Sequence, residues 1–498
     1  MTDLLIIAPS AAGLYQELKK DFSAKETNIW AGLLANSVRG DHSVLIYDME
    51  IEKPSKDKFY ETVKEINPSL VLFVVTGQNP NASTAAMAGA VDASSVLGSE
   101  FKIAFVGPHV NALPVETLEK HSEIDIALTN EGVYALKNVL KTNLRDTDLS
   151  GIKGIAYRDE SGNIKLNPPE IIVPQELLEQ DLPGVGYDLM PSLDNYRTSN
   201  WHANYIDEDR SPFASIYTSL GCIFKCEFCM INIINRTDND PEKASSSFNK
   251  FRYWNPEFTI KQLDYLAAQG VKQIKVADEM WVLKPKHFLN LCDLIIERDY
   301  GFNMWAYTRV DTVKPKYLEK LKAAGVNWLA LGIEAGNTEI RREITKGKFE
   351  ETNIREVVGM IQDAGINVCA NYIFGLGHDT YDTMQETLNL ALELNAEYSN
   401  MYCATSLPGS PLYLKAKKEN WELPSNYSEF GFLSYDHIPS RTYGLESSQV
   451  LEFRDYAFRV LFENPRFISK VQNKFGDKAV NNINKMNSIK LKRKSLKN

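Results

Sequence analysis

Cys222, Cys226 and Cys229 fall within eight residues, in the run Gly221-Cys222-Ile223-Phe224-Lys225-Cys226-Glu227-Phe228-Cys229, a CxxxCxxC spacing. Three thiolates gathered by one short loop are soft ligands, and they suit an iron–sulfur cluster as well as zinc. A structural zinc site normally closes four ligands, often from two CxxC knuckles, and no fourth cysteine or histidine lies close by in sequence. Three ligands leave one position open. The remaining cysteines, Cys292, Cys369 and Cys403, are scattered, which speaks against a disulfide framework and for metal or cluster binding by the triplet.

The elements around the triplet follow from the pattern of β-branched runs. A strand over 215–219 feeds the cysteine loop, and strand-like runs at 273–276, 303–307, 328–333, 367–374 and 398–404 then alternate with helical ones. Six or more β/α units make a partial or complete barrel, whose reactive residues belong at the strands' carboxyl ends. Upstream, runs at 4–8, 42–47, 69–75, 102–106 and 124–128 alternate with helix-length segments, the pattern of an open, doubly wound parallel sheet. Several of these runs end in residues suited to a ligand crevice: Pro9-Ser10, Thr76-Gly77-Gln78 and Gly107-Pro108-His109. Between the two halves, a hairpin at 158–163 and prolines at 168, 169, 174, 183 and 191 read as a connector. The expected α/β division is a Rossmann-like domain over 1–145, a connector over 146–210, a partial (β/α)6 barrel over 211–415, and a mainly helical region with a basic tail over 416–498.

A chain of 498 residues is too long for one ordinary domain, and 44% hydrophobic with 24% charged residues is the balance of a soluble, well-cored protein. The net charge of −10 gives no general attraction to nucleic acid, and the lysines of 485–497 read as a solvated end. No stretch approaches the ~20 apolar residues that span a bilayer. The start, Met1-Thr2-Asp3-Leu4, shows no basic leader, so a cytoplasmic location is expected.

CxxxCxxC after a strand, with Phe228 before the last cysteine, resembles the radical S-adenosylmethionine (SAM) superfamily. The resemblance implies a 4Fe–4S cluster on the three cysteines, whose open iron chelates SAM and whose electron releases a 5′-deoxyadenosyl radical. It also implies an external electron donor such as flavodoxin or ferredoxin. Val276-Ala277-Asp278-Glu279-Met280 looks like the family's acidic motif at the second strand, with Asp278 or Glu279 on the SAM amino group. Tyr307-Thr308-Arg309-Val310-Asp311 and Gly332-Ile333-Glu334-Ala335-Gly336 resemble later strands, which would place Arg309 and Glu334 near the SAM carboxylate or ribose. Ile373-Phe374-Gly375-Leu376-Gly377 resembles the strand against adenine, with Gly375 allowing close approach. Phe228 completes the expected SAM-binding set.

The first half narrows the resemblance to the cobalamin-dependent radical SAM enzymes. Its carriers are Val106 to Pro114, Asn130-Glu131-Gly132, the connector's Gly154-Ile155-Ala156-Tyr157-Arg158, and Leu407-Pro408-Gly409-Ser410-Pro411 past the barrel. The chain has Asn130-Glu131-Gly132-Val133 where the family often shows GEGE, and it lacks the DxHxxG motif that supplies a histidine to cobalt in other cobalamin proteins. The resemblance implies a corrin held by Ser10, Thr76, Gly77, Gln78, Gly107, His109, Asn130 and Glu131. Tyr307, Tyr372, Tyr402 and Cys403, at or near strand ends, are expected in the substrate pocket. The implied activity is a methyltransferase in which the radical activates a small-molecule or peptide substrate that takes its methyl group from methylcobalamin. The alternatives are a rearrangement or cyclisation without methyl transfer, and a non-catalytic iron–sulfur or corrinoid redox sensor.

Overall fold

The computed structural model describes residues 2–142, 148–345 and 353–496; the expected boundary at 145/146 and the last residues of the basic tail lie outside them. The β-branched runs of the first half form β1 (Thr2–Ala8), β2 (Val44–Asp48), β3 (Pro68–Val74), β4 (Ile103–Val106) and β5 (Ile126–Leu128). All are parallel, in the order β2-β1-β3-β4-β5. The order reverses between β1 and β3, and in open α/β sheets ligands bind outside the strands' carboxyl ends at such a switch point. The hairpin expected in the connector is β6 (Ile155–Arg158) and β7 (Ile164–Leu166). It is part of this sheet, since β6 pairs antiparallel with β5 and covers an edge that would otherwise stay open.

The second sheet comprises β8 (Phe213–Ile216), β11 (Gln273–Val276), β12 (Asn303–Arg309), β13 (Val326–Glu334), β14 (Asn367–Phe374) and β15 (Tyr398–Cys403). All six are parallel, in the order β15-β14-β13-β12-β11-β8. No pairing joins β8 to β15 among the described residues, so this is a partial barrel. A short antiparallel pair, β9 (Ser219–Leu220) and β10 (Arg252–Tyr253), extends the line of β8 into the cysteine loop. Side chains alternate between the two faces of each strand. The register puts Lys275, Trp305 and Trp328 in one inward row, Tyr307, Ala330, Cys369 and Tyr398 in the next, and Arg309, Gly332, Asn371 and Asn400 above them. Trp201 closes the amino-terminal end, packed on Trp305 at 5.3 Å, Trp328 at 5.0 Å and Tyr398 at 5.6 Å between ring centroids.

Three helices, Ser447–Phe462, Pro465–Phe475 and Asp477–Ser488, follow the barrel. The lysines at 485, 490, 492 and 494 are exposed as expected, but the arginine among them is not. Arg493 is buried, donates to both Asp455 oxygens at 2.9 and 3.1 Å, and donates to the carbonyls of Phe432 and Ser434. Gln16 exchanges hydrogen bonds with the backbone of Lys492. These bonds hold the tail against the C-terminal helices and against the segment after β1.

Candidate active site

The cysteine loop begins at Gly221, whose φ is 84°; a Cβ there would stand 2.2 Å from the Lys250 carbonyl, so the turn needs glycine. Cys222 is pinned by Asn232, which accepts from its N–H at 3.0 Å and donates to its C=O at 2.8 Å. Four N–H groups approach the sulfurs: the Phe224 amide to Cys222 and the Ile231 amide to Cys229, both at 3.5 Å, Arg309 Nη1 to Cys226 at 3.9 Å, and Asn81 Nδ2 to Cys229 at 3.8 Å. Burial pushes the thiols up, Cys226 to about 11 with Arg309 opposing and Cys222 to about 12. They therefore ionise by binding metal rather than unaided at neutral pH. Among the described residues, no three His, Cys, Asp or Glu side chains are arranged around a single ion. Three soft thiolates with N–H donors on the sulfurs fit an iron–sulfur cluster.

The two acids at the end of β11 divide their work. Asp278 accepts from the Thr218 N–H and Oγ1, both at 2.6 Å, and from Ser219 Oγ at 2.5 Å, which fixes the strand that carries the loop. Glu279 accepts from the Gly221 N–H at 3.2 Å through Oε2, while its buried Oε1 has no hydrogen-bond partner. Burial raises Asp278 to about 6 against those hydrogen bonds and Glu279 to about 8. A buried carboxylate oxygen without a partner is costly unless a ligand meets it.

Arg309 is locked in a fork on Asp311 at 2.9 and 2.7 Å, with its guanidinium 3.6 Å above the Phe224 ring. Glu334 has φ 67° at a register shift between β13 and β14. Bulges re-aim side chains and are enriched beside active sites, and a non-glycine residue in this conformation costs of order 1–3 kcal/mol. Burial raises the Glu334 carboxyl to about 7, with Arg309 opposing. Phe228 packs against an apolar cluster that includes Ile373, Leu376 and Ala404. Gly375 donates its N–H to Asp379 at 3.0 Å, and a Cβ on it would stand 2.4 Å from Val450, so its lack of a side chain serves the approach of the C-terminal helix.

One cavity of about 1080 Å³ lies between the first sheet and the open side of the barrel. It is at the upper limit of small-molecule sites, roughly 300–1,000 Å³. The switch point lends Pro9 and Thr76 to Pro80, the barrel lends Tyr217, Asn400 and Tyr402, and the C-terminal segment lends Phe430 to Leu433 and Ile489 to Lys492. Of the eight residues expected at a corrin, Thr76, Gly77 and Gln78 line this cavity. The other five lie outside its lining. Ser10 donates to Glu50 at 2.5 Å, Gly107 backs onto Val75, and His109 faces Tyr427 with ring centroids 5.2 Å apart. Asn130 donates to the Glu170 carbonyl at 2.9 Å, and Glu131 forms a buried ion pair with Arg252 at 2.7 Å. Asn130 and Glu131 thus hold the segment after β5, and Glu131 ties it to β10. No histidine is among the described lining residues.

Of the four residues expected in the substrate pocket, Tyr402 lines the cavity and Tyr307 faces the barrel interior. Tyr372 and Cys403 are corrected by parity: each neighbours an inward residue, Asn371 or Tyr402, and so points outward into the helical layer. Lys275 was not anticipated. Its Nζ, buried inside the barrel, pairs with Glu26 at 2.6 Å, donates to the Gln78 carbonyl at 2.7 Å and lies 5.1 Å from the Trp305 ring centroid. A lysine between Ile274 and Val276 in a buried strand was the available signal. Asn81, too, went unnoticed; nothing in its local sequence marks it.

Residues 216–391 match the Radical SAM superfamily model, so the barrel is a radical SAM domain and the protein is a radical SAM enzyme. The chain is 26% identical over 435 residues to an uncharacterized methyltransferase of Pyrococcus horikoshii, covering 86% of each chain. It is 23% identical to an anaerobic magnesium-protoporphyrin IX monomethyl ester cyclase of Rubrivivax gelatinosus, over 88% of this chain and 74% of that one. Its fold is that of the radical SAM methyltransferase TsrM from Kitasatospora setae, solved with cobalamin and a 4Fe–4S cluster: TM-score 0.68, 14% identity, 98% of this chain and 100% of that one. The cobalamin-dependent radical enzyme OxsB also shares it, with TM-score 0.64 and 16% identity over 95% of this chain and 70% of that one. Among the described residues, no helix is long and apolar enough to cross a membrane.

Proposed function

We propose that the protein is a cobalamin-dependent radical SAM methyltransferase, with the first sheet as its corrinoid-binding part and the barrel as its radical-generating part. The observation that carries this reading is the cavity. It opens at the β1/β3 switch point, faces the barrel's open side, and is lined by Thr76 to Pro80, the stretch just before Asn81, whose side chain bonds the cysteine loop. When bound, the cluster and SAM supply a 5′-deoxyadenosyl radical and cobalamin supplies a methyl carrier.

The chain's own residues bind, orient and exclude water. Cys222, Cys226 and Cys229 would hold the cluster, with Asp278 keeping their loop in place through Thr218 and Ser219. Glu279 offers its unpartnered oxygen to the SAM ammonium, which requires the carboxyl to release the proton that burial favours. Arg309 and Glu334 stand beside Cys226 as electrostatic neighbours, suited to the SAM carboxylate and ribose. Phe228 and Ile373 form an apolar wall nearby. Thr76, Gly77 and Gln78 would receive the corrin, Tyr402 and Tyr307 would meet a small-molecule substrate, and the folded tail with Phe430 to Leu433 would form part of the cavity wall and limit water there. An external electron donor completes the system.

The test is anaerobic reconstitution with iron, sulfide and cobalamin, followed by SAM and a reductant. The expected products are 5′-deoxyadenosine and S-adenosylhomocysteine, with a cellular metabolite gaining one methyl group. Formation of 5′-deoxyadenosine alone would favour the second reading, a cyclisation, which the Rubrivivax relative supports. Absence of 5′-deoxyadenosine would leave a redox sensor.

A further inference from the structure

The turn after β3 is held from two sides before it reaches the cysteine loop. Asn28 donates to the Val74 carbonyl at 3.0 Å and accepts from Thr76 Oγ1 at 3.0 Å. Ser83 Oγ accepts from the Gly77 N–H at 3.1 Å, and the buried Lys275 Nζ donates to the Gln78 carbonyl at 2.7 Å. Asn81 follows in the short turn Pro80–Ala82. Its Oδ1 accepts from the Met230 N–H at 3.0 Å, which fixes the orientation of the amide and turns Nδ2 to the Cys229 sulfur at 3.8 Å. The two other N–H groups on Cys222 and Cys229 are backbone amides of the cysteine loop itself, and Arg309 belongs to the barrel. Asn81 alone among these four donors comes from the first sheet.

We propose that Asn81 is a positioning residue through which the first sheet sets the reduction potential of the cluster. The inference rests on the cluster assigned above to the three cysteines. Donors to cluster sulfurs stabilise the added negative charge of the reduced state and raise the potential. Because Thr76 to Pro80 line the cavity, a corrin seated there bears on the loop that carries Asn81, so cavity occupancy is read at the cluster. Radical generation is thereby tied to the presence of the methyl carrier.

The test uses the full chain, reconstituted with iron and sulfide, poised in a mediated redox titration and read by electron paramagnetic resonance. Asn81→Ala removes the donor. Asn81→Asp keeps the acceptor for the Met230 amide but turns an oxygen toward the sulfur. The expected order of midpoint potentials is wild type highest, Asn81→Ala lower and Asn81→Asp lowest, at equal iron content. Cobalamin shifts the wild-type potential and leaves Asn81→Ala unmoved. Wild-type potentials in both variants overturn the proposal, and a wild-type potential indifferent to cobalamin overturns the coupling. If the variants lose their clusters, wild-type protein labelled with 15N in asparagine side chains provides the measurement: a hyperfine coupling from a side-chain nitrogen to the reduced cluster is expected, and its absence overturns the contact. A wild type that forms no cluster defeats the functional reading on which this inference stands; a normal cluster with unshifted variants defeats this inference alone.

Discussion

The cysteine end of the barrel and the crevice of the first sheet are built in opposite ways. At the barrel, polar side chains are fixed by one another and leave particular atoms free for a ligand: Asp278 is saturated so that Glu279 can present an unpartnered oxygen. Of the polar residues expected at the crevice, several are consumed by structure, as with Thr76 on Asn28 and, outside the cavity lining, Ser10 on Glu50 and Glu131 on Arg252. The cavity wall itself mixes apolar side chains with polar ones from many segments, among them Gln78, Asn79, Asn400 and Glu452, and with residues of the tail. A small, charged ligand end calls for named side chains, whereas a large ring system can be held by shape.

The largest effect that would break this contrast is at the ligands. Cys226→Ala is expected to abolish the iron–sulfur absorbance and SAM cleavage while leaving cobalamin binding measurable by equilibrium dialysis. Loss of both would mean that the two regions are not separable. The next is Arg252→Met, which leaves Glu131 buried without its cation and should cost about 3–5 kcal/mol of stability in a denaturant titration. A neutral outcome would show that the pair between β10 and the segment after β5 contributes little.

Glu279→Gln sharpens the barrel side. Losing a charge-assisted hydrogen bond worth roughly 1.5–3 kcal/mol should weaken SAM binding about 10- to 100-fold with the cluster intact. The wild-type affinity carries a pH dependence of known sign. Burial holds the Glu279 proton up to about 8, so SAM affinity rises with pH toward that value and then levels. In Glu279→Gln the same isothermal titrations should lose the part of this rise that centres near 8. The smallest effect is expected from Tyr372→Phe and Cys403→Ser, whose side chains face the helices; 5′-deoxyadenosine formation should stay at the wild-type rate.

The same contrast explains what was legible in the sequence. The cysteine triplet and Asp278-Glu279 are local patterns, and the strands that carry them fall where β-branched runs predict. Choosing between inward and outward residues required register: Asn371 faces the barrel interior and Tyr372 does not, one position apart. The crevice was harder, because its bonds link distant segments. Glu131 meets Arg252 121 positions away, and Gln16 meets Lys492 476 positions away. Composition marked the tail's lysines as solvated, and they are, but not Arg493, which Asp455 binds through a long-range pairing.

The proposed function stands or falls with a corrin in the cavity between the sheets. The direct measurement is the amount of cobalamin retained after anaerobic reconstitution and gel filtration, in the wild type and in Ala11→Trp, which places a large ring in the cavity wall. Retained cobalamin together with a full cluster is expected in the wild type, and a full cluster without cobalamin in Ala11→Trp. A wild type that carries its cluster and releases all cobalamin, or a variant that binds it undiminished, would mean that the cavity is not a corrin site.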